Sequence, residues 1–509
     1  MKRPPRRELI LSHESVSLAV TPAEAGVQVA KRIFERSVKP WIPASAGMTV
    51  PKYDSPRKVG NDEPRERGSH FLPADKIRLY DDTLREGEQM AGVAFSARQK
   101  LEMAEFLSRL GVHVLNLAFP AVSPEEGEAV VACLRSQRNG RIRKEVEIQV
   151  MCRSEPKEID AAADLARRAG TPVKDLSILL LSATSSRHVK HKFGKALLHR
   201  EGVSEAEGRN RPESWFLGAN LRLIVDVIHH ARRAGFQRIE FVGEDASRAA
   251  PRYLLKWADA CLSAGGTRLT FSDTVGCLSP ERLDALLPPL ISLTRRRGAD
   301  FHGHFHNDLG LASANCVRAL SLGATHAGVS VAGLGERAGM AALEQVVMQL
   351  RLLYGITLPG FRYDLLTEAR RRIESASGIF LQAHAPIVGE GAFAHESGLH
   401  TSGVAKDPTL YQFIPERQVG GKRTFVFGKH SGRGGVEAAL REAGISASTQ
   451  EINALRDRVK SLRARRISPP LLRRQAQEHY RDYRRLGIGS EELARIARKM
   501  IHKKLKDFS

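Results

Sequence analysis

The chain reads as an α/β protein: a (β/α)8 TIM barrel followed by a mostly helical C-terminal extension. Three observations predict this. Between Ile77 and Tyr354, short apolar, β-branched runs alternate eight times with amphipathic stretches of helical length. The first run is not followed by the glycine-rich phosphate turn that a doubly wound open sheet, the rival architecture, would place there. Beyond Tyr354 the alternation stops and the pattern changes character.

The elements follow in order. Residues 1–75 carry Pro and Gly breaks and little hydrophobic period, and read as a poorly structured extension outside the fold. No apolar core followed by a small-residue cleavage site appears there, so no secretory leader is expected. Strands are predicted at 77–81 (IRLYD), 113–118 (HVLNLA), 146–151 (VEIQVM), 175–181 (DLSILLL), 238–242 (RIEFV), 268–272 (RLTFS), 300–304 (DFHGH) and 326–331 (HAGVSV). Helical periods fall between them, among them 97–110, 221–234 and 281–296. Gly111, Gly170, Gly235 and Gly323 stand where a helix-terminating glycine belongs. The catalytic barrel is thus 76–354. Residues 355–432 are Gly- and His-rich and loop-like, a linker or subdomain. Residues 433–509 read as a helical subdomain, with Ile452, Leu455, Val459 and Leu462 on one face and a Pro469-Pro470 break.

Composition narrows the function classes. The 509 residues are 42% hydrophobic, which excludes a wholly disordered chain, and no uncharged apolar run is long enough to span a bilayer. Five scattered cysteines without a C-x-x-C predict a reduced, cytoplasmic protein. The net charge of +22 is concentrated at the ends. Residues 446–509 hold 17 Lys and Arg against 7 Asp and Glu, and residues 1–76 hold 14 against 9. A basic tail is the one feature that would favour a nucleic-acid-binding protein; a solvated surface explains it as well.

Chemistry in such a barrel sits at the C-terminal ends of the strands. Five polar clusters fall there: Arg85, Glu86, Glu88 and Gln89 after strand one; Glu244, Asp245, Ser247 and Arg248 after strand five; Thr274 after strand six; HGHFHND on strand seven; and GLGERAG after strand eight. His302, His304 and His306 alternate, so they share one face of a strand. Two such imidazoles and a carboxylate from across the barrel make a three-ligand site for a divalent metal, for which Mg2+, Mn2+, Zn2+, Co2+ and Fe2+ are all suitable.

The segments TLREGEQMAGVAF, GEDASRA, DTVG, HFHNDLGLASAN, GLGERAG and HESGLHTSG, in this order, resemble the acyl-CoA-dependent carboligases of the DRE-TIM metallolyase superfamily. These are homocitrate, 2-isopropylmalate and citramalate synthases. The wording is nearest to the nitrogenase-associated homocitrate synthases, which ties the expectation to amino-acid biosynthesis or nitrogen fixation. The resemblance implies a Claisen condensation of acetyl-CoA with a 2-oxo acid, first of all 2-oxoglutarate to homocitrate. It implies Glu86, His304 and His306 as metal ligands, with His302 beside the site rather than in it. Arg85 is the cation near the keto oxygen, Thr274 holds the substrate carboxylate, and Gln89 contacts substrate. His400 and Tyr411 resemble proton-transfer and polarising groups, which Glu244 assists. A 3-hydroxy-3-methylglutaryl-CoA lyase-like carbon–carbon lyase is the rival within the superfamily. Two departures stand out: Asn116 where the family usually has Glu, and Met340 where many members have Asn.

A second carboxylate on the substrate would need a cation, and Arg153 after strand three, or Arg187 with His188 after strand four, is expected to supply it. His400 and Tyr411 follow the whole barrel in sequence. Resembling enzymes exchange this region between subunits, so a homodimer with a shared active site is expected.

Overall fold

The computed structural model describes residues 71–466, together with residues 474, 492–493 and 495–497. The expectations for residues 1–70, for the Pro469-Pro470 break and for most of the helical tail lie outside the described residues.

Eight parallel strands close into a barrel in sequential order. They are β1 (Arg78–Asp81), β2 (Val114–Ala118), β3 (Glu147–Arg153), β4 (Leu176–Ala183), β5 (Ile239–Glu244), β6 (Arg268–Asp273), β7 (Asp300–Phe305) and β8 (His326–Val329). Closure is made by β1 pairing β8, with Arg78 opposite His326 and Asp81 opposite Val329. Each observed strand lies within two residues of its expected position. β8 stops at Val329 because Ser330 leads into a 3-10 turn whose Ala332 adopts φ 60°.

Around the barrel run α1 (Ala97–Leu110), α2 (Pro124–Arg138), α3 (Pro156–Arg168), the short α4 (Ser186–His191), α5 (Gly194–Arg200) and α6 (Glu205–Arg209), then α7 (Glu213–Ala234), α8 (Pro251–Ser263), α9 (Pro280–Arg296), α10 (Ala312–Ser321) and α11 (Leu343–Tyr354). The ends of α1 show why its bounds were legible. Ser96 and Gln99 form a reciprocal capping box, and Gly111 closes the helix at φ 110°. α7 begins eight residues before the expected start. The three short helices of the β4–α7 connection were not anticipated, since none is long enough to show a period.

Strand alternation divides the core. Phe301 and Phe305 of β7, with Leu79, Ile148, Ile178, Phe241 and Phe271, pack outward against the helices. Tyr80, Val114, Met151, Leu179 and Val242 form a separate cluster inside the barrel. Polar groups fill the rest of the interior. Arg268 donates from Nε to Glu240 at 2.6 Å and from Nη2 to Glu147 at 2.5 Å. Buried charges of this kind persist only when paired and hydrogen-bonded.

Beyond the barrel, α12 (Leu366–Ser377) packs on α1. Two-residue strands β9 (Ala394–His395) and β10 (Thr424–Phe425) pair in parallel. α13 (Gly398–Lys406), α14 (Arg433–Glu442) and α15 (Thr449–Arg466) pack in succession, α14 on α13 and α15 on α14. The segment 355–432 therefore carries two helices where the sequence read as loops. Glycines hid α13. Gly403 lets the Tyr411 ring pack closely there, since a Cβ would stand 2.6 Å from Tyr411 Cε2. On α15 the expected apolar face is only partly covered: Ile452 is buried and Leu455 is exposed. Among the described residues no helix is long and apolar enough to cross a membrane, and no cysteine is disulfide-bonded.

Candidate active site

The C-terminal rim of the barrel encloses a cavity of about 280 Å3. Arg85, Glu86, Gln89, Glu244, Thr274, His304 and His306, seven of the residues singled out from sequence, all line it. The loop after β1 is wound tightly enough to aim two of them inward. The backbone N–H groups of Arg85, Glu86 and Gly87 all donate to the Asp82 carbonyl, at 3.2, 2.8 and 3.1 Å. This turns the Arg85 and Glu86 side chains to the mouth. On β7 the period of two sends His302 and His304 inward, and His306 follows on the same face just past the strand.

Glu86, His304 and His306 each offer one ligand atom, and these atoms lie within 4.8 Å of one another. The two Nε2 atoms are 3.4 Å apart, and His306 Nε2 is 3.6 Å from Glu86 Oε1. His304 Nδ1 is 3.0 Å from an Asp82 oxygen, so its proton belongs there and Nε2 keeps its lone pair. Burial lowers the His306 imidazole to about 4 and keeps it neutral. Two imidazoles and a carboxylate converging on one point fit a divalent ion. Asp82, His302 and His304 form a second close group. However, His302 Nδ1 is engaged by Glu240 at 2.9 Å and Thr270 at 3.1 Å, and Tyr80 lies against its ring at 3.9 Å between centroids. His302 is thus bound into the barrel interior. Gly328 leaves the room, because a Cβ there would come 2.5 Å from His302 Nε2.

Arg85 bridges Asp82, at 2.8 Å, and Glu86. Burial works against its charge, but the two carboxylates outweigh this and hold the guanidinium above its ordinary range. It is a fixed cation beside the ligand set. Thr274 Oγ1 accepts from the Asp245 N–H at 2.9 Å and sits 3.2 Å from Ser272 Oγ. Glu244 takes Lys192 Nζ at 2.6 Å and His188 Nδ1 at 3.0 Å on the same oxygen, and its second oxygen is buried without a partner among the described residues.

Two expected residues are placed differently. Arg153 does not line the cavity. Its Nε donates to Glu158 at 2.5 Å and its guanidinium stands over the Phe119 ring. Glu158, at N3 of the helix following β3, captures it. His188 stands behind Glu244 rather than on the wall. The lysine that does line the cavity is Lys192, from the short helices after β4, which the sequence reading did not single out. Phe119, Met151, Leu179, Leu181 and Val242 supply the apolar part of the wall, which they share with Thr270, Ser272, His302 and Glu336. His400 and Tyr411 are brought together, their rings 4.3 Å apart at 35°, but neither lines this cavity and Tyr411 is 48% exposed. The two departures are also placed. Asn116 donates to Asp82 at 2.7 Å, and Met340 is buried, bridged through its backbone to His306.

Comparison with known proteins decides the family. Residues 76–205 and 218–371 match the HMGL-like model, and residues 387–467 match the homocitrate synthase post-HMGL domain-like model. The chain belongs to the HMGL-like family. The barrel described above is its HMGL-like part, and β9 through α15 fall in the post-HMGL part. Among relatives, a homocitrate synthase of Methanopyrus kandleri is 34% identical over 77% of this chain and 89% of its own length. A 2-isopropylmalate synthase of Sulfolobus acidocaldarius is 34% identical over 76% and 91%. A protein of Methanopyrus kandleri named for (R)-citramalate synthase is 35% identical over 81% and 74%. The HMGL-like chain is therefore similar, at nearly equal distance, to enzymes named for three different products.

Proposed function

We propose that this protein condenses acetyl-CoA with a 2-oxo acid by a metal-dependent Claisen reaction. One observation carries the reading: the convergent Glu86, His304 and His306 share a single cavity with the fixed Arg85 cation and with Thr274. A divalent ion held there supplies a Lewis acid for the keto group of the substrate. The chain's own groups do the rest. Arg85 stabilises negative charge as it develops on the keto oxygen. Thr274 and Gln89 orient the substrate carboxylate. Glu244, with Lys192 on its flank, assists proton transfer at the mouth. His400 and Tyr411 move the acetyl methyl proton and polarise the thioester. They stand apart from the cavity of their own chain, so they act in the barrel of a second copy in a homodimer.

For the oxo acid, the first reading is 2-oxoglutarate, giving homocitrate; Lys192, a cavity-lining cation, supports it. A second reading is 2-oxoisovalerate, giving 2-isopropylmalate. It is favoured by the five apolar wall residues and by Glu244, which already neutralises Lys192. Incubation with acetyl-CoA and each acid, with mass identification of the product, tests the proposal. A hydroxydicarboxylate or hydroxytricarboxylate carrying two added carbons supports it; unchanged oxo acid in every case rejects it.

A further inference from the structure

Asp82 is completely buried in the barrel, with 0% exposure. An ionised carboxylate at such a site costs several kcal/mol unless donors are in place. Three are. Asn116 Nδ2 lies 2.7 Å and Arg85 Nη2 2.8 Å from Oδ1, and His304 Nδ1 lies 3.0 Å from Oδ2. Two of these donors belong to the machinery assigned above, one a metal-ligand imidazole and the other the fixed cation. The third, Asn116, lies outside that machinery, and its own oxygen is buried without a partner among the described residues. A neutral amide at 116 leaves Asp82 as the single carboxylate of this pair. A second carboxylate at 2.7 Å would repel it.

We infer that Asp82 is the positioning residue of the site, locking the His304 tautomer with Nε2 toward the ligand centre and fixing the Arg85 guanidinium beside it. The inference rests on the ligand set proposed above. A carboxylate hydrogen-bonded to the far nitrogen of a ligating histidine sets the orientation and basicity of that ring. Here the same carboxylate also carries the charge that holds Arg85. Arg85 comes from the loop after β1 and His304 from β7, two strands that are not neighbours in the barrel, and Asp82 is the side chain that joins them.

The test uses the full chain stripped of metal by chelation, with Mn2+ as the probe, and the variants Asp82→Asn and Asp82→Ala. Asp82→Asn preserves volume, so it stands as the test if the alanine variant melts early. Mn2+ affinity by calorimetry should fall about 10- to 100-fold in either folded variant. The 15N signals of His304, assigned by comparison with His304→Ala, should lose the fixed Nδ1-protonated pattern of the parent chain. In steady state, kcat should fall by more than KM rises. Asp82→Asn binding Mn2+ within threefold of the parent, with the His304 tautomer unchanged, overturns the inference. Failure of the condensation reading is separable. Weakened Mn2+ binding in Asp82→Asn alongside a parent chain that condenses no oxo acid keeps the positioning role and removes the reaction. Unaltered Mn2+ binding alongside an active parent removes only the positioning role.

Discussion

Replacing Lys192 by Met asks which oxo acid the cavity is built for. Lys192 Nζ lies 2.6 Å from Glu244 Oε1, and the lysine side chain is 52% exposed. An ion pair this exposed contributes about 0–1 kcal/mol to stability, so the variant should fold and melt close to the parent. The effect on substrate is larger. A carboxylate about 4 Å from an ammonium at an effective dielectric of about 20 is worth about 4 kcal/mol. Halving this for exposure leaves about 2 kcal/mol, or about 30-fold in kcat/KM. Methionine keeps the apolar stem length, so an acid with an isopropyl side chain loses no charge partner. Initial rates of CoA release over a range of each acid give the two constants. The account predicts that kcat/KM for 2-oxoglutarate falls about 30-fold while that for 2-oxoisovalerate stays within about threefold. An equal fall for both acids would refute the placement and move Lys192 into the common chemistry. No fall for 2-oxoglutarate would show that its second carboxylate lies elsewhere.

Further outcomes follow from the same geometry. His304→Ala and His306→Ala should each lose most metal, measured by elemental analysis after gel filtration. Arg85→Ala should keep the metal and lose about 3–4 kcal/mol of rate, since it removes one preorganised charge from the reacting centre. Glu344 is buried, and burial raises its carboxyl to about 7. The folded chain thus keeps a proton that the unfolded chain has lost. The stability linked to this group is complete below pH 4.5 and declines as pH rises to about 7, by about 3 kcal/mol in all. Glu344→Gln should flatten the fall in melting temperature over that window; parallel curves would contradict it. If His400 serves the partner's barrel, mixing Arg85→Ala with His400→Ala chains under subunit exchange should restore activity, because one of the two sites becomes intact.

The barrel was legible because its strands are short apolar runs between helices with strong caps, as at Ser96 and Gly111. The convergence of His304 and His306 was legible because a period of two on β7 leaves only one face for them. Asp82 was not, because next to Asp81 and Arg85 it reads as part of a charged loop. Only closure of the barrel, with β1 paired to β8 and β8 to β7, shows that it is buried against His304. Lys192 was missed for a different reason. It lies in short helices with no period, and the chain path from β4 to the cavity wall is a tertiary fact. Arg153 reads in sequence as a strand-end arginine free to face the cavity, whereas Glu158, five residues on, holds it in the structure. The relatives' names do not resolve the product either, since three different products appear at nearly equal identity, and the wall residues Leu179, Leu181 and Val242 look in sequence like ordinary strand residues.

The central claim is that the Glu86, His304 and His306 cavity performs acetyl-CoA condensation on a 2-oxo acid. Its most direct test is free-thiol release from acetyl-CoA by the purified chain, with 2-oxoglutarate, 2-oxoisovalerate and pyruvate in turn. Each is run with added divalent metal and again after chelation, with the His304→Ala chain alongside. The account predicts release with at least one acid, dependent on both acid and metal and abolished in the variant. No acid-dependent release in the presence of metal, or release that persists in full with His304→Ala, would contradict it.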